Sequence, residues 1–194
     1  MLYSNNLYTI DTGDTDNRSS WWTDIEYDPQ VYKPIDFLRG DNNSVQEATF
    51  VDLKGRKKVV DGVSCSLGLS IMSDKVIQIL NDHQFKGWRA IPILLDKKGQ
   101  KISGFHCFQV LSECRPLNTS ETYQTEIDWP FSPTGKRRIT KGYSVELDEC
   151  DGSDFYIPEG SRFVLCTQRV FEALSDAKLV DIRLRKLSDI PVNP

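Results

Sequence analysis

Histidine is scarce in this chain: two residues in 194, His83 and His106. Metal-binding spacings are lacking too. There is no Cys-x-x-Cys and no His-x-x-x-His, the close pairs that structural zinc sites use. In a strand, His106 and Cys107 would point to opposite faces. No metal and no cofactor is expected. Long apolar runs are missing as well: the longest, Ala90 to Leu95, is far too short to cross a bilayer. The opening MLYSNNLYTIDTGDTDN has no basic stretch followed by an apolar one. A cytoplasmic protein without membrane contact is therefore expected. Charge of one sign is not in excess: 28 acids face 24 bases, for a net charge of −4. That gives no electrostatic case for binding nucleic acid.

What is present is ordinary globular material, 39% hydrophobic and 27% charged. A chain of this length buries a core without staples, and one domain is the simplest organisation. The five cysteines, Cys65, Cys107, Cys114, Cys150 and Cys166, are odd in number and irregularly spaced. They read as reduced thiols, mostly buried as small apolar residues. The sequons at Asn17, Asn42 and Asn118 carry no meaning without secretion.

Residues 1–47 are polar and dotted with aromatics, and Pro29 and Pro34 interrupt them. Irregular structure is expected there, with a short helix near Pro34 to Arg39. From Ala48 the pattern changes. ATFVDLKGRKKVV and AIPILLDKKGQKISGFHCFQV each place Asp-x-x-Gly between apolar runs, at Asp52–Gly55 and Asp96–Gly99. Both predict hairpins. Tyr123 to Trp129 and Tyr143 to Leu147 are further strands, flanking the basic loop PFSPTGKRR.

One device occurs twice. IMSDKVIQILND and VLCTQRVFEALSD each run from an apolar strand through Ser73 or Thr167 into an amphipathic helix. The hydroxyls predict N-caps. Val76, Ile77 and Leu80, like Val170, Phe171 and Leu174, fall on one stripe suited to packing on a sheet. Strands cluster rather than alternate with helices. The class expected is α+β: a largely antiparallel sheet carrying two capped amphipathic helices, after an irregular N-terminal segment.

Fragments of active-site motifs do not hold together. Asp11-Thr-Gly13 is followed by Asp14 in polar surroundings, unlike the strand of an aspartic protease, and reads as a turn. Gly135-Lys136-Arg137-Arg138 lacks the earlier glycine of a phosphate-binding loop and reads as a basic surface turn. His83, near a helix end, complements the dipole there. The acidic run Glu146 to Asp154 misses calcium-loop spacing, because Cys150 stands where an acid is needed. It reads as a solvated loop or as a face for a basic partner. Trp21-Trp22 is either a core lid or an interface anchor.

The order of features from Val63-Ser-Cys65, through the helix Ser73 to Asn81 and the hairpin IPILLDKKGQKISGFHCFQVLSE, to RFVLCTQRVFEALSDAKLVDIRL is specific enough to compare. Over residues 60–190 it resembles a family of bacterial immunity proteins of polymorphic toxin systems, first catalogued as a domain of unknown function. Cys166-Thr167-Gln168 stands where that family opens a helix with a segment like Val-Ser-Glu. Lys178-Leu-Val-Asp-Ile-Arg183 stands for its closing strand. The chain departs from the family at Cys114 to Glu121, and near Lys178, where the family has glycine. The resemblance implies a cytoplasmic, stoichiometric inhibitor of a cognate toxin, with no catalytic residues.

The function expected is thus non-catalytic protein binding, with a toxin as the partner. The candidate contacts are Trp21, Trp22, Tyr27, Asp148, Glu149, Asp151 and Asp154. The rivals are an enzyme assembled from scattered groups such as Asp148, Asp151 and His106, and a scaffold module of a larger assembly.

Overall fold

The computed structural model describes residues 6–13, 20–40, 44–120, 122–131, 133–146 and 151–192. In chain order they form β1 (Leu7–Thr12), β2 (Trp22–Glu26), α1 (Pro34–Arg39), α2 (Ser44–Glu47), β3 (Thr49–Lys54), β4 (Gly62–Cys65), β5 (Ser70–Ser73), α3 (Asp74–Asp82), β6 (Trp88–Lys97), β7 (Gln100–Val110), β8 (Glu113–Cys114), β9 (Tyr123–Asp128), β10 (Lys136–Lys141), β11 (Phe155–Pro158), β12 (Leu165–Thr167), α4 (Gln168–Asp176) and β13 (Ile182–Lys186). Strands and helices are mixed, and strands dominate. They do not form one largely antiparallel sheet. Six close a barrel in the order β2-β3-β6-β7-β5-β4, five form a sheet in the order β13-β1-β12-β11-β8, and β9 and β10 pair as a separate hairpin. The pairs β2/β4, β3/β6 and β8/β11 are parallel.

Among its described residues the N-terminal segment is not wholly irregular. β1 lies between β12 and β13 in the five-stranded sheet, and β2 belongs to the barrel. The short helix at Pro34–Arg39 does form, with proline in its first turn and Gly40 at its end in the left-handed region.

Of the two predicted hairpins, one forms. β6 and β7 turn through Lys98 and Gly99, both at positive φ (55° and 84°), while Asp96 Oδ1 accepts from the Gly99 N–H at 2.7 Å. Two left-handed residues give the turn whose twist matches the strands. The other does not form. Asp52 adopts φ 54°, but β3 runs on through it to Lys54. Leu53 is buried, and the β2/β3 register shifts at this point instead.

The two helix devices belong to a larger repeat. In the barrel, β2-β4-β5-β7-β6 runs parallel at its first pair and antiparallel thereafter. In the sheet, β8-β11-β12-β1-β13 has the same order and the same senses. The registers agree residue by residue. Gly62 faces Met72 as Phe155 faces Cys166, and Trp22 faces Ser64 as Glu113 faces Ile157. Met72 faces His106 as Cys166 faces Tyr8. The helix follows the third strand in each unit. In the barrel unit β7 follows β6 through the hairpin. In the sheet unit that place is taken by β1, from the other end of the chain.

One continuous core joins the units. Ile10, Val164, Cys166, Val170 and Leu174 of the sheet unit pack in the same cluster as Val63, Ile71, Val76, Leu80 and Cys107 of the barrel unit. Each helix buries two side chains of its stripe completely or nearly so, Val76 and Leu80 or Val170 and Leu174. Each such side chain contributes about 1.5–3 kcal/mol. No helix among the described residues is long and apolar enough to cross a membrane.

Candidate functional site

The predicted contact residues are scattered in role. Trp21 is a core residue: its Nε1–H donates to the Lys57 carbonyl at 2.9 Å and its ring tilts against Phe105. It leaves little ring for a partner. Trp22 is half-buried, with Lys54 Nζ 5.2 Å above it, and Tyr27 packs edge-on against Phe37. Asp154 is buried and belongs to the framework rather than to an acidic face. Asp151 accepts from Ser112 Oγ and from the Ser153 N–H, and hydrogen bonding by the Ser153 hydroxyl first, then by the Ser112 hydroxyl and the Ser153 N–H, holds its carboxyl below the usual range. Asp148 and Glu149 lie outside the described residues. Asp11 sits near the end of β1, ion-paired to Arg185 at 2.7 Å, rather than in a turn.

The N-cap hydroxyls are also engaged elsewhere. Ser73 and Thr167 stand at the cap positions with extended backbone, but neither caps its helix with its side chain. Ser73 Oγ donates to Asp61 Oδ1 at 3.0 Å, and Thr167 Oγ1 donates to Asp154 Oδ1 at 3.1 Å.

Of the scattered catalytic set, Asp148 lies outside the described residues, and His106 and Asp151 bond to different partners. His106 Nε2 lies 2.6 Å from Asp74 Oδ1, whereas Asp151 is occupied by Ser112 and Ser153. Beside His106 runs a shallow groove of about 400 Å³ lined by Ile77, Phe85, Trp88 and Pro92. In the other unit the matching place is filled: Tyr8 stacks on Phe171 with 4.0 Å between centroids and donates to Gln168 Oε1 at 2.6 Å. The described cysteines, Cys65, Cys107, Cys114 and Cys166, are all buried, and none is in a disulfide. Burial pushes the thiols of Cys65, Cys107 and Cys166 up, away from the thiolate that nucleophilic chemistry requires.

The surface with interface chemistry was not read from sequence as such. The segment Lys136–Lys141, expected to belong to a basic turn and its exit, is strand β10, and it pairs with β9 along its whole length. Tyr143 to Leu147, expected as a further strand, forms no strand among its described residues, and Ser144 makes an isolated bridge to Asn118. At the hairpin's end Phe131 is 87% exposed and Trp129 38%. Their rings meet edge-on at 6.0 Å, and the Arg137 guanidinium lies 5.3 Å over Trp129. Arg138 reaches Glu126 at 3.5 Å across the strands. The outer edge of β10 takes a bridge from Pro191 to Lys141 and the Val192 N–H, which donates to the Thr140 carbonyl. On the outer edge of β9 no strand lies among the described residues.

Trp, Phe and Arg exposed together at one projecting point is what protein interfaces use as anchors. The signal was in the sequence, in Trp129, Phe131 and Arg137. It was hidden because all of β10's first half faces solvent and so shows no alternation. Set beside known proteins, the chain matches no protein-family model and no curated protein.

Proposed function

We propose that this chain acts by binding another protein, as a cytoplasmic, stoichiometric inhibitor of the immunity-protein kind. The observation that carries the reading is the β9–β10 hairpin, which holds Trp129 and Phe131 in solvent with Arg137 stacked on the indole. Leaving large aromatic surface in water is unfavourable by about 25 cal/mol for each Å². A partner that covers these rings recovers that free energy. The rigid ladder beneath them lowers the ordering cost of binding.

The experiment is capture of the partner from the source cell, followed by co-expression. A partner that is toxic alone and harmless beside this chain supports the reading. A captured partner whose toxicity is unchanged by the chain removes it.

A second reading, an enzyme, is favoured by the Asp74–His106 pair, whose Nδ1 is buried without a partner next to the open groove. In that reading His106→Gln abolishes the biological effect. In the binding reading it leaves protection intact.

A further inference from the structure

The groove beside His106 has a filled counterpart in the same chain. Tyr8, Phe171 and Leu184 of the sheet unit stand where the barrel unit has His106, Ile77 and Ala90. Each of the latter is the smaller side chain. His106 Nε2 meets Asp74 Oδ1, as the Tyr8 hydroxyl meets Gln168 at the same helix position. The space that the stacked rings of Tyr8 and Phe171 fill in one unit is left open in the other, as a groove of about 400 Å³. Its far wall is aromatic. Trp88 stacks on Phe108 with 5.7 Å between ring centroids, and its Nε1–H donates to the Phe85 carbonyl at 2.9 Å. Across Pro92 and His106 a second hollow of about 210 Å³ adjoins, with Leu94, Gly104 and Asp74 on its walls.

The charged groups around the two hollows are placed for a cation. Both His106 nitrogens are withdrawn, Nε2 on Asp74 and Nδ1 in the interior. Arg89 is held by Gln109 and the Gly40 carbonyl, and Lys75 turns to the Ala177 carbonyl. The Asp74 side chain is 71% exposed. Its Oδ2 lies over the bulge of β7, where Gly104 takes φ 86° and a Cβ would come within 3.3 Å of it. We propose that this groove binds an aryl-alkyl amine, with its ring against Ile77, Trp88 and Pro92 and its ammonium on Asp74. The ring gains by leaving water for an apolar and aromatic wall. The ammonium gains a charge-assisted hydrogen bond to the carboxylate, where an anionic ligand would meet a like charge. The proposal stands apart from the protein-binding reading, which places the partner on the β9–β10 hairpin.

The test titrates the full chain with phenethylamine, with its neutral counterpart 2-phenylethanol, with the anion phenylacetate and with propylamine, which has no ring. The signals followed by NMR are the Trp88 indole N–H and the Ile77 methyls. Phenethylamine is expected to shift them saturably with a Kd near 10 mM, the ordinary value for a ligand of about nine non-hydrogen atoms. The alcohol is expected to bind about fivefold more weakly, and phenylacetate and propylamine more weakly still. Asp74→Asn keeps an acceptor for His106 and is expected to bring the amine down to the level of the alcohol. Ile77→Phe, which places in the groove the residue that the sheet unit has there, is expected to remove binding of both at unchanged Tm. The proposal is overturned by no saturable shift up to about 50 mM phenethylamine, or by alcohol, anion or propylamine binding as tightly as phenethylamine. Amine binding that survives Ile77→Phe, or Asp74→Asn, in the folded variant overturns it too.

Discussion

Asp61 and Asp154 occupy the same place in the two units, and each grips the strand approach of the other unit. The Val180 N–H, just past α4, donates to Asp61 Oδ2 at 2.8 Å, and the Lys86 N–H, just past α3, donates to Asp154 Oδ2 at 3.0 Å. Backbone bonds run beside both: Asp61 N–H to the Val180 carbonyl, Asp154 N–H to the Lys86 carbonyl. The second carboxylate oxygens take Ser73 and Thr167. Behind each stands a cation two residues into the helix. Lys75 Nζ lies 4.0 Å from Asp61, and Arg169 Nη1 lies 3.3 Å from Asp154. The device that recurs in the sequence is thus a reciprocal clamp, and its function is to lock the units together.

Removing either carboxylate leaves a part-buried N–H and hydroxyl without their acceptor, which costs up to about 1–3 kcal/mol per group. Asp61→Ala and Asp154→Ala are each expected to lower stability by roughly 2–4 kcal/mol in urea unfolding. Hydrogen exchange separates them. Asp61→Ala speeds exchange of the Val180 amide and spares Lys86, while Asp154→Ala does the reverse. Unchanged protection at both amides would show that the clamps hold nothing.

The junctions also need one glycine each, on opposite sides. A Cβ on Gly62 would sit 2.2 Å from the Asp181 carbonyl oxygen. At the matching junction the strand residue is Phe155, and the glycine is Gly87, whose Cβ would meet Ser153 at 2.5 Å. Gly62→Ala is therefore expected to cost about 3 kcal/mol, as overpacking against backbone does. Gly68→Ala, with open space around it but φ 73°, should cost only about 1 kcal/mol. Thermal unfolding of the two variants reads the difference.

Much of this fold was legible where local pattern and tertiary demand agree. The helices at Asp74–Asp82 and Gln168–Asp176 and the β6–β7 hairpin follow from their apolar stripes and from Lys98-Gly99. The Asp52 hairpin was not legible, because its four residues copy the Asp96 turn in kind. They differ at the second position, where Leu53 is buried and the true turn has Lys97. β1 was missed because its register partners, Cys166 and Leu184, lie at the far end of the chain. The aspartates were missed because their partners come from the other unit, which no local window contains. Of the candidate contacts, Trp21 and Asp154 are framework. The exposed Trp129 and Phe131 needed the hairpin to be seen as an anchor.

Buried thiols are slow to alkylate, because reaction goes through the thiolate. Burial raises the Cys107 and Cys166 thiols furthest. Iodoacetamide at pH 8 is expected to leave both unmodified in the folded protein and to modify them in urea, as mass spectrometry of the peptides will show. Rapid labelling of Cys107 without unfolding would contradict the packing described.

Two carboxylates, the partly buried Asp96 and the exposed Asp151, are held low. A hydrogen bond and ion pair from Lys101 and the Gly99 N–H hold Asp96 below 3.8, and the Ser153 and Ser112 hydroxyls, with the Ser153 N–H, do the same for Asp151. A folded pKa below the unfolded one gives stability that is complete above the unfolded value and is lost as pH falls through the folded one. Both contributions are therefore full at pH 7 and fade below about pH 4. Carboxyl NMR titration checks the direction: midpoints above 3.8 for these two residues would reverse it.

The most direct measurement is the affinity of the captured partner for the wild-type chain and for the Trp129→Ala, Phe131→Ala double variant, by calorimetry. Both side chains are exposed, so the variant is expected to fold with an unchanged Tm. Anchor residues of this kind are each worth about 2 kcal/mol or more, so the account predicts a loss of at least a hundredfold. Equal affinity for the two proteins would contradict it.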